Sequence, residues 1–326
     1  MPLTPSYGDG QVGAITRLYL TAEREIWKLI ARTLFGERWN GRMPWAVRML
    51  LKLPTFRRGL TRIVVGLGAQ AAVIVIGILL AAFRRGAREA RADLRPQHPP
   101  VTAIDESEAQ RLADRVIASL TKVHQQVPVS AEAIYRRTVD EVSRHPRGTD
   151  DTTLEQLLRE VLARNARRGF DGQVDAKGRR YEFVSYAEMV VRSAVTHAEV
   201  DGYCAHVTAS GHDLVIVSDV PGACTLCRPY EGAVLSISGA TAGTVTFRDS
   251  LDRPVKVTVK CSLAEARAGG LFHRNCRHTI RVWTADNPNP PGAVKLSEAE
   301  RTRRKNTNSE RRRNRILQRI GFATRA

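Results

Sequence analysis

The 326-residue chain is predicted to be α+β: a mainly helical N-terminal region, then an α+β C-terminal domain, then a basic tail. Three observations predict this. Apolar residues recur at helical spacing through most of the first 168 residues. After Arg168 the texture changes to short β-rich runs punctuated by glycine. The strands fall late in the chain and do not alternate with helices, which points to α+β rather than α/β.

The elements follow in order. Residues 12–36 form an amphipathic helix, with Leu18, Leu20, Ile26, Leu29, Ile30 and Leu34 at helical spacing and Gly36 as the stop. A second helix covers 44–53 and ends near Pro54. Residues 63–83, IVVGLGAQAAVIVIGILLAAF, carry no charge and are flanked by Arg57, Arg58, Arg62, Arg84 and Arg85. That is the length and flanking pattern of a membrane span, but a buried helix running on into the charged RRGAREARADL is the favoured reading. A Pro-rich break at 92–103 is the linker. Three helices are expected over 105–125, 130–144 and 151–168, with Asp105 and Ser130 as N-caps and Pro146-Arg147-Gly148 between the last two. FDGQVDAKGRRYEF reads as a hairpin with Gly172 and Gly178 in turns, and residues 185–211 as a helix. DLVIVSD is a buried strand ended by Pro221-Gly222, and further strands cover 233–238, 243–248 and 254–259. After Pro290-Pro291, residues 295–326 hold 11 basic and three acidic residues. This tail is read as a basic helix or an arm that orders on a polyanion or partner.

The charge balance, 51 Lys+Arg against 33 Asp+Glu for a net +18, favours polyanionic partners such as nucleic acid or an anionic surface. The tail residues Arg301, Arg303, Arg304, Lys305, Arg311, Arg312, Arg313 and Arg315 are the candidate polyanion contacts. Five cysteines is an odd number, and MPLTPSYGDG has neither the charged nor the apolar region of a secretory signal. Buried or metal-binding thiols in a reducing compartment are therefore expected rather than a disulfide framework.

Chemistry concentrates in Cys224-Thr-Leu-Cys227 and His273-Arg-Asn-Cys276. Each pair can bite one ion, and two pairs close a tetrahedral site; thiolate and imidazole donors select Zn²⁺. The ion would staple two loops about 45 residues apart, so its role is structural. His278 is a spare donor, and Cys204 and Cys261 read as core or incidental. A competing pattern is His197-Ala-Glu199 followed by Cys224-x-x-Cys227, which mimics the zinc deaminases. Ala223 stands where that pattern has Pro, and it leaves His273 and Cys276 unused. Phosphate loops, nucleophile elbows and H-E-x-x-H helices are absent, so no enzyme is expected.

Several of these segments together resemble the phage minor capsid protein 2 family, related to the Mu-F-like head proteins of tailed phages. They are ITRLYLTAEREIWKLIA (15–31), GFDGQVDAKGRRYEFVSYAEMVVRSAVTHA (169–198), GHDLVIVSDVPGACTLCRPYEGAVLSI (211–237) and LFHRNCRHTI (271–280). The last two carry C-x-x-C-x-x-x-x-G and His-x-Asn-Cys-Arg-His signatures. Arg274 stands where the family commonly has Pro, and the basic helix after the domain looks shortened. The resemblance implies a low-copy protein inside the virion capsid, present in the host cytoplasm during assembly. It would associate with the portal and other head proteins and act in procapsid assembly and genome packaging or delivery. Packaged DNA would be contacted without sequence specificity, and a membrane role for 63–83 is a less favoured alternative. Relatives sometimes carry an enzyme after this module; about 45 residues follow Ile280 here, too few for one. The expected organisation is a helical region over 1–91, a linker over 92–104, a helical middle over 105–168, a Mu-F-like domain over 169–289 and the tail over 290–326.

Overall fold

The computed structural model describes residues 6–36, 43–94, 104–144, 151–174, 178–220, 223–274, 276–288 and 298–324. Most of the expected linker, the Pro146-Arg147-Gly148 break, Pro221-Gly222 and Pro290-Pro291 lie outside these residues. The chain divides into two compact units, one of Met1–Gly13, Ile74–Val116 and Met189–Ser297, the other of Ala14–Val73, Ile117–Glu188 and Glu298–Ala326. Three long helices contribute residues to both: α4 (Leu53–Asp93), α5 (Ser107–Arg144) and α7 (Phe183–Ala209).

The second unit is mainly helical. Its α2 (Gly13–Phe35) follows the predicted span, but the buried stripe is Ile15, Tyr19, Ile26, Trp27, Ile30 and Leu34; Leu18, Leu20 and Leu29 are only half-buried. The two large rings displace the leucines because they remove the most apolar surface from water. Trp27 stacks on Phe170 at 4.6 Å between centroids, and Phe56 stacks on Tyr135 at 4.7 Å. Tyr135 also donates to the carbonyl of Met49 in α3 (Trp45–Leu51), at 2.8 Å.

The expected helix at 44–53 is α3, which ends at Leu51 just ahead of Pro54. Pro54 itself sits in the first turn of the next helix, α4, where a missing N–H costs nothing. The 63–83 run is thus the middle of a 41-residue helix. It is the one helix among the described residues long and apolar enough to cross a membrane, and 22% of its most apolar stretch is buried. The expected helices at 105–125 and 130–144 are likewise one helix, α5, with Pro128 inside it. An internal proline removes one backbone hydrogen bond and costs about 3 kcal/mol. Here Leu120, Val123, Val127, Ala131, Ile134 and Tyr135 continue one buried stripe across it, and burying that stripe outweighs the lost bond. Asp105 does cap α5, accepting from the Ser107 amide at 2.8 Å. Ser130 is no cap; its hydroxyl accepts from the amide of Asp171.

That amide opens the hairpin of β1 (Asp171–Val174) and β2 (Arg180–Glu182), which pair antiparallel after α6 (Asp151–Arg168). Gly178 has the positive φ of a turn glycine, but Gly172 lies in β1, where a Cβ would come within 2.7 Å of Phe183 Cα. The tail is ordered as a helix, α9 (Glu298–Thr324), packed along α6.

Buried in this unit, Tyr19 Oη lies 2.6 Å from His124 Nε2, and burial pushes the His124 imidazole down to about 4. The folded state therefore keeps His124 neutral, whereas the unfolded chain protonates it near pH 6.5. Between pH 6.5 and 4 the unfolded state binds more protons, so stability is lost as pH is lowered through that window, by about 3 kcal/mol in all. His124→Gln is expected to flatten this slope by close to one proton, as read from urea titrations at pH 7 and pH 4.5.

The first unit holds a five-stranded sheet in the order β5-β6-β4-β3-β7. Its strands are β3 (Leu214–Val217), β4 (Val234–Ser236), β5 (Gly243–Arg248), β6 (Pro254–Ser262) and β7 (Ile280–Val282). The β4–β6 pair is parallel and the others antiparallel. Sequence reading found the first four; β7 and the short α8 (Leu263–Ala268) escaped it because three and six residues are too few for a period to show. One face of the sheet is covered by α7, whose Val200, Tyr203 and Val207 pack with Val215, Leu235, Leu271 and Ile280. The other face carries a smaller cluster around Trp283, which meets Phe247 edge-on at 5.4 Å. Within this unit α4 and α7 are in backbone contact at two glycines: a Cβ on Gly86 or on Gly202 would overlap the facing main chain of Glu199 or Phe83.

Candidate metal centre

The two predicted loops converge at one edge of the first unit. Cys224 and Cys227 follow β3 and lead into a single 3₁₀ turn (Arg228–Tyr230), while Cys276 and His278 precede β7, the strand paired to β3. The ladder between β3 and β7 thus brings together residues almost 50 positions apart. Val217, Leu235, Leu271, Phe272 and Ile280 belong to the same buried cluster; Cys227 itself is fully buried and Cys224 exposed.

The donors form two overlapping groups. The ligand atoms of Cys224, Cys227 and His273 lie within 4.8 Å of one another, as do those of Cys227, Cys276 and His278. Cys224 Sγ is 2.9 Å from His273 Nε2, and Cys227 Sγ is 3.6 Å from Cys276 Sγ. Cys276 Sγ is 3.3 Å from His278 Nδ1 and also accepts from the His278 amide at 3.4 Å. Both imidazoles are fixed from behind. His273 Nδ1 lies 2.7 Å from the carbonyl of Arg274, and His278 Nε2 lies 3.0 Å from the carboxylate of Glu231. Glu231 is itself held by the Val220 amide at 2.8 Å.

The electrostatics suit a cation. Burial opposes ionisation of Cys224, but the amides of Cys227 and Leu226, with His273, bring its thiol down to about 7. Burial likewise opposes the shift at Cys276, which its contacts with His278 lower. Burial and the neighbouring Cys276 sulfur together push Cys227 well up. Three sulfurs crowded this closely repel one another as thiolates, and a dication at their centre is what would let all three ionise. Paired thiolates with imidazoles fixed in the ligating tautomer are a donor set for Zn²⁺.

The remaining sequence candidates separate from this cluster. His197 Nε2 is 2.7 Å from the carbonyl of Phe272, and Glu199 pairs with Arg85. Burial pushes Glu199 up to about 7 against the pull of that arginine. Neither residue joins the metal-capable groups among the described residues, so the deaminase geometry is not assembled. Cys204 is buried in α7 beneath the sheet, and Cys261 sits half-buried on β6. Two residues of the cluster are less visible in the sequence: His278 reads only as a spare donor, and Glu231 carries no signal at all, since it meets His278 only when the turn after Cys227 lies beside β7.

In the tail, Arg311, Arg312 and Arg313 are exposed on the outer face of α9. Arg315 is turned inward instead, donating to Ser185 Oγ at 2.8 Å and lying 3.4 Å from Glu188. The side chains of Arg301, Arg303, Arg304 and Lys305 lie outside the described residues.

The family model for phage minor capsid protein 2 matches residues 3–320. No curated protein and no solved structure matches the chain. A match over nearly the whole length covers both units, the cysteine–histidine cluster and most of α9. The chain therefore belongs to the phage minor capsid protein 2 family, structural proteins of the virion.

Proposed function

We propose that this protein is a portal-associated component of the phage head interior, acting in procapsid assembly and in packaging or delivery of the genome. The full-length family match carries this reading. Two features of the chain support its finer parts. A net charge of +18 suits a protein enclosed with DNA, where Lys and Arg contact phosphate without regard to sequence. On α9 the exposed Arg311, Arg312 and Arg313 offer such contacts, while Arg315 and Arg319 anchor the helix to its own unit. Arg301, Arg303, Arg304 and Lys305 extend the same basic segment in sequence. The rival partner for this surface is an acidic face of the portal.

The cysteine–histidine cluster is proposed as a Zn²⁺ staple with no catalytic part. Cys224, Cys227, Cys276 and a histidine, His273 in the sequence reading, would hold the ion. Its binding free energy would then be folding free energy for the loops it joins.

Mass spectrometry of purified virions and of DNA-free heads tests the assignment. The protein is expected in both, at a few copies per particle, and to co-purify with portal from DNA-free heads. Its absence from both particles would overturn the proposal. Loss from DNA-free heads alone would remove the portal role and leave DNA as the partner.

A further inference from the structure

We infer that His278, rather than His273, supplies the imidazole ligand of the ion, beside Cys227 and Cys276 of its own donor group, with Cys224 joining as fourth ligand from the neighbouring group and Glu231 positioning His278 from outside. This rests on the metal reading above and changes one of its four ligands.

Distances within the cluster separate the two histidines. Two thiolates bound tetrahedrally at about 2.3 Å from one zinc lie about 3.8 Å apart, and a thiolate and an imidazole nitrogen about 3.6 Å apart. Cys227 and Cys276 stand at 3.6 Å and Cys276 and His278 at 3.3 Å, close to those separations. Cys224 and His273 stand at 2.9 Å, the spacing of a direct hydrogen bond and further from the thiolate–imidazole separation.

Backbone geometry adds to this. Just ahead of β7 the His278 amide donates to the Cys276 sulfur, which also lies 3.3 Å from the His278 ring. Cys276 and His278 are therefore presented together without any loop adjustment. Their third partner, Cys227, is fully buried, His278 is 2% exposed and Cys276 is half-buried, so this triad forms the inner side of the cluster. His273 is on the open side with the exposed Cys224.

The outer contacts differ in kind as well. His278 Nε2 faces the carboxylate of Glu231, so the Nε2 proton is held there and the Nδ1 lone pair is left toward Cys276. A carboxylate behind an imidazole raises its basicity as a ligand more than a neutral carbonyl does. His273 has only the carbonyl of the next residue, Arg274. Its place is beside the Cys224 sulfur, as an outer hydrogen-bonding group.

Zinc competition against a chromogenic chelator, with Co²⁺ absorption spectra, tests this on the full chain. His278→Ala is expected to weaken zinc binding by about 100-fold or more, His273→Ala by less than about 10-fold, and Glu231→Gln by about 10- to 100-fold. His278→Cys guards against a variant that fails to fold. It should keep one ion per chain and intensify the sulfur-to-cobalt charge-transfer band, which His273→Cys should leave unchanged. The reverse order for the two histidines, or a charge-transfer gain in His273→Cys alone, would overturn the inference while leaving a metal site in place. A wild-type chain that takes up neither zinc nor cobalt would overturn the metal reading itself.

Discussion

Arg319→Ala should destabilise the helical unit by about 3–5 kcal/mol, lowering its melting temperature by about 10 °C. Arg319 is buried in α9, 2% exposed, with Nε 2.7 Å from Glu23 of α2 and Nη2 3.1 Å from Glu182 of β2. Burial pushes Glu23 up even against the attraction of Arg319, which shows how little water reaches that carboxylate. Removing the guanidinium leaves two carboxylates facing each other without their common cation, and that uncompensated charge, more than the lost bonds, sets the cost. Gly169 makes room for it: φ is +70°, and a Cβ there would come within 2.7 Å of the guanidinium. The triple replacement of Arg319, Glu23 and Glu182 by apolar residues of similar size should recover most of the loss. A fall of under about 1 kcal/mol for Arg319→Ala, measured by urea unfolding, would show that α9 does not depend on this contact. The consequence for function is that the tail helix is part of the folded unit, and its basic outer face is held in a fixed orientation.

Gly86→Ala and Gly77→Ala, nine residues apart on α4, should have opposite signs. A Cβ on Gly86 would overlap the Glu199 carbonyl and come within 2.9 Å of the Tyr203 amide nitrogen. Both are main-chain atoms of α7, so no side chain can swing aside and the helices must separate. A loss of about 3 kcal/mol or more is expected, at the upper end of overpacking effects. Gly77 has nothing within 4 Å of its Cβ position. There alanine only removes freedom from the unfolded chain and should stabilise by about 0.5–1 kcal/mol. Thermal melts of the two variants decide it, and equal effects of either sign would contradict the close helix contact. Gly202, which meets Phe83 in the same way, belongs with Gly86.

Much of this was legible in the sequence because it is written in local patterns. The expected helix at 12–36 and strand at 243–248 are found at 13–35 and 243–248, and the strand expected at 254–259 runs three residues further, to Ser262. The break expected around Pro128 fails for a local reason: Pro128 has the same intrinsic cost wherever it stands, and only the stripe packed on either side shows that the helix survives it. The basic tail was read as a surface feature from its composition. Nothing in its sequence distinguishes Arg319, which is buried between two carboxylates, from Arg311, which is exposed.

The sequence by itself determined the α+β class, the strand-rich second half, the family and the paired Cys224-x-x-Cys227 and His273-x-x-Cys276 spacing of a candidate metal site. Those depend on periodicity and on neighbours in the chain. Tertiary structure alone decided which histidine backs onto Glu231, which arginine is locked inside, and where two glycines let helices touch. Each of those depends on residues from 47 to about 300 positions apart that meet only when β7 pairs with β3, α9 docks on its unit and α7 lies against α4. Such meetings arise from burying the whole set of apolar faces at once, and no local window of sequence contains them.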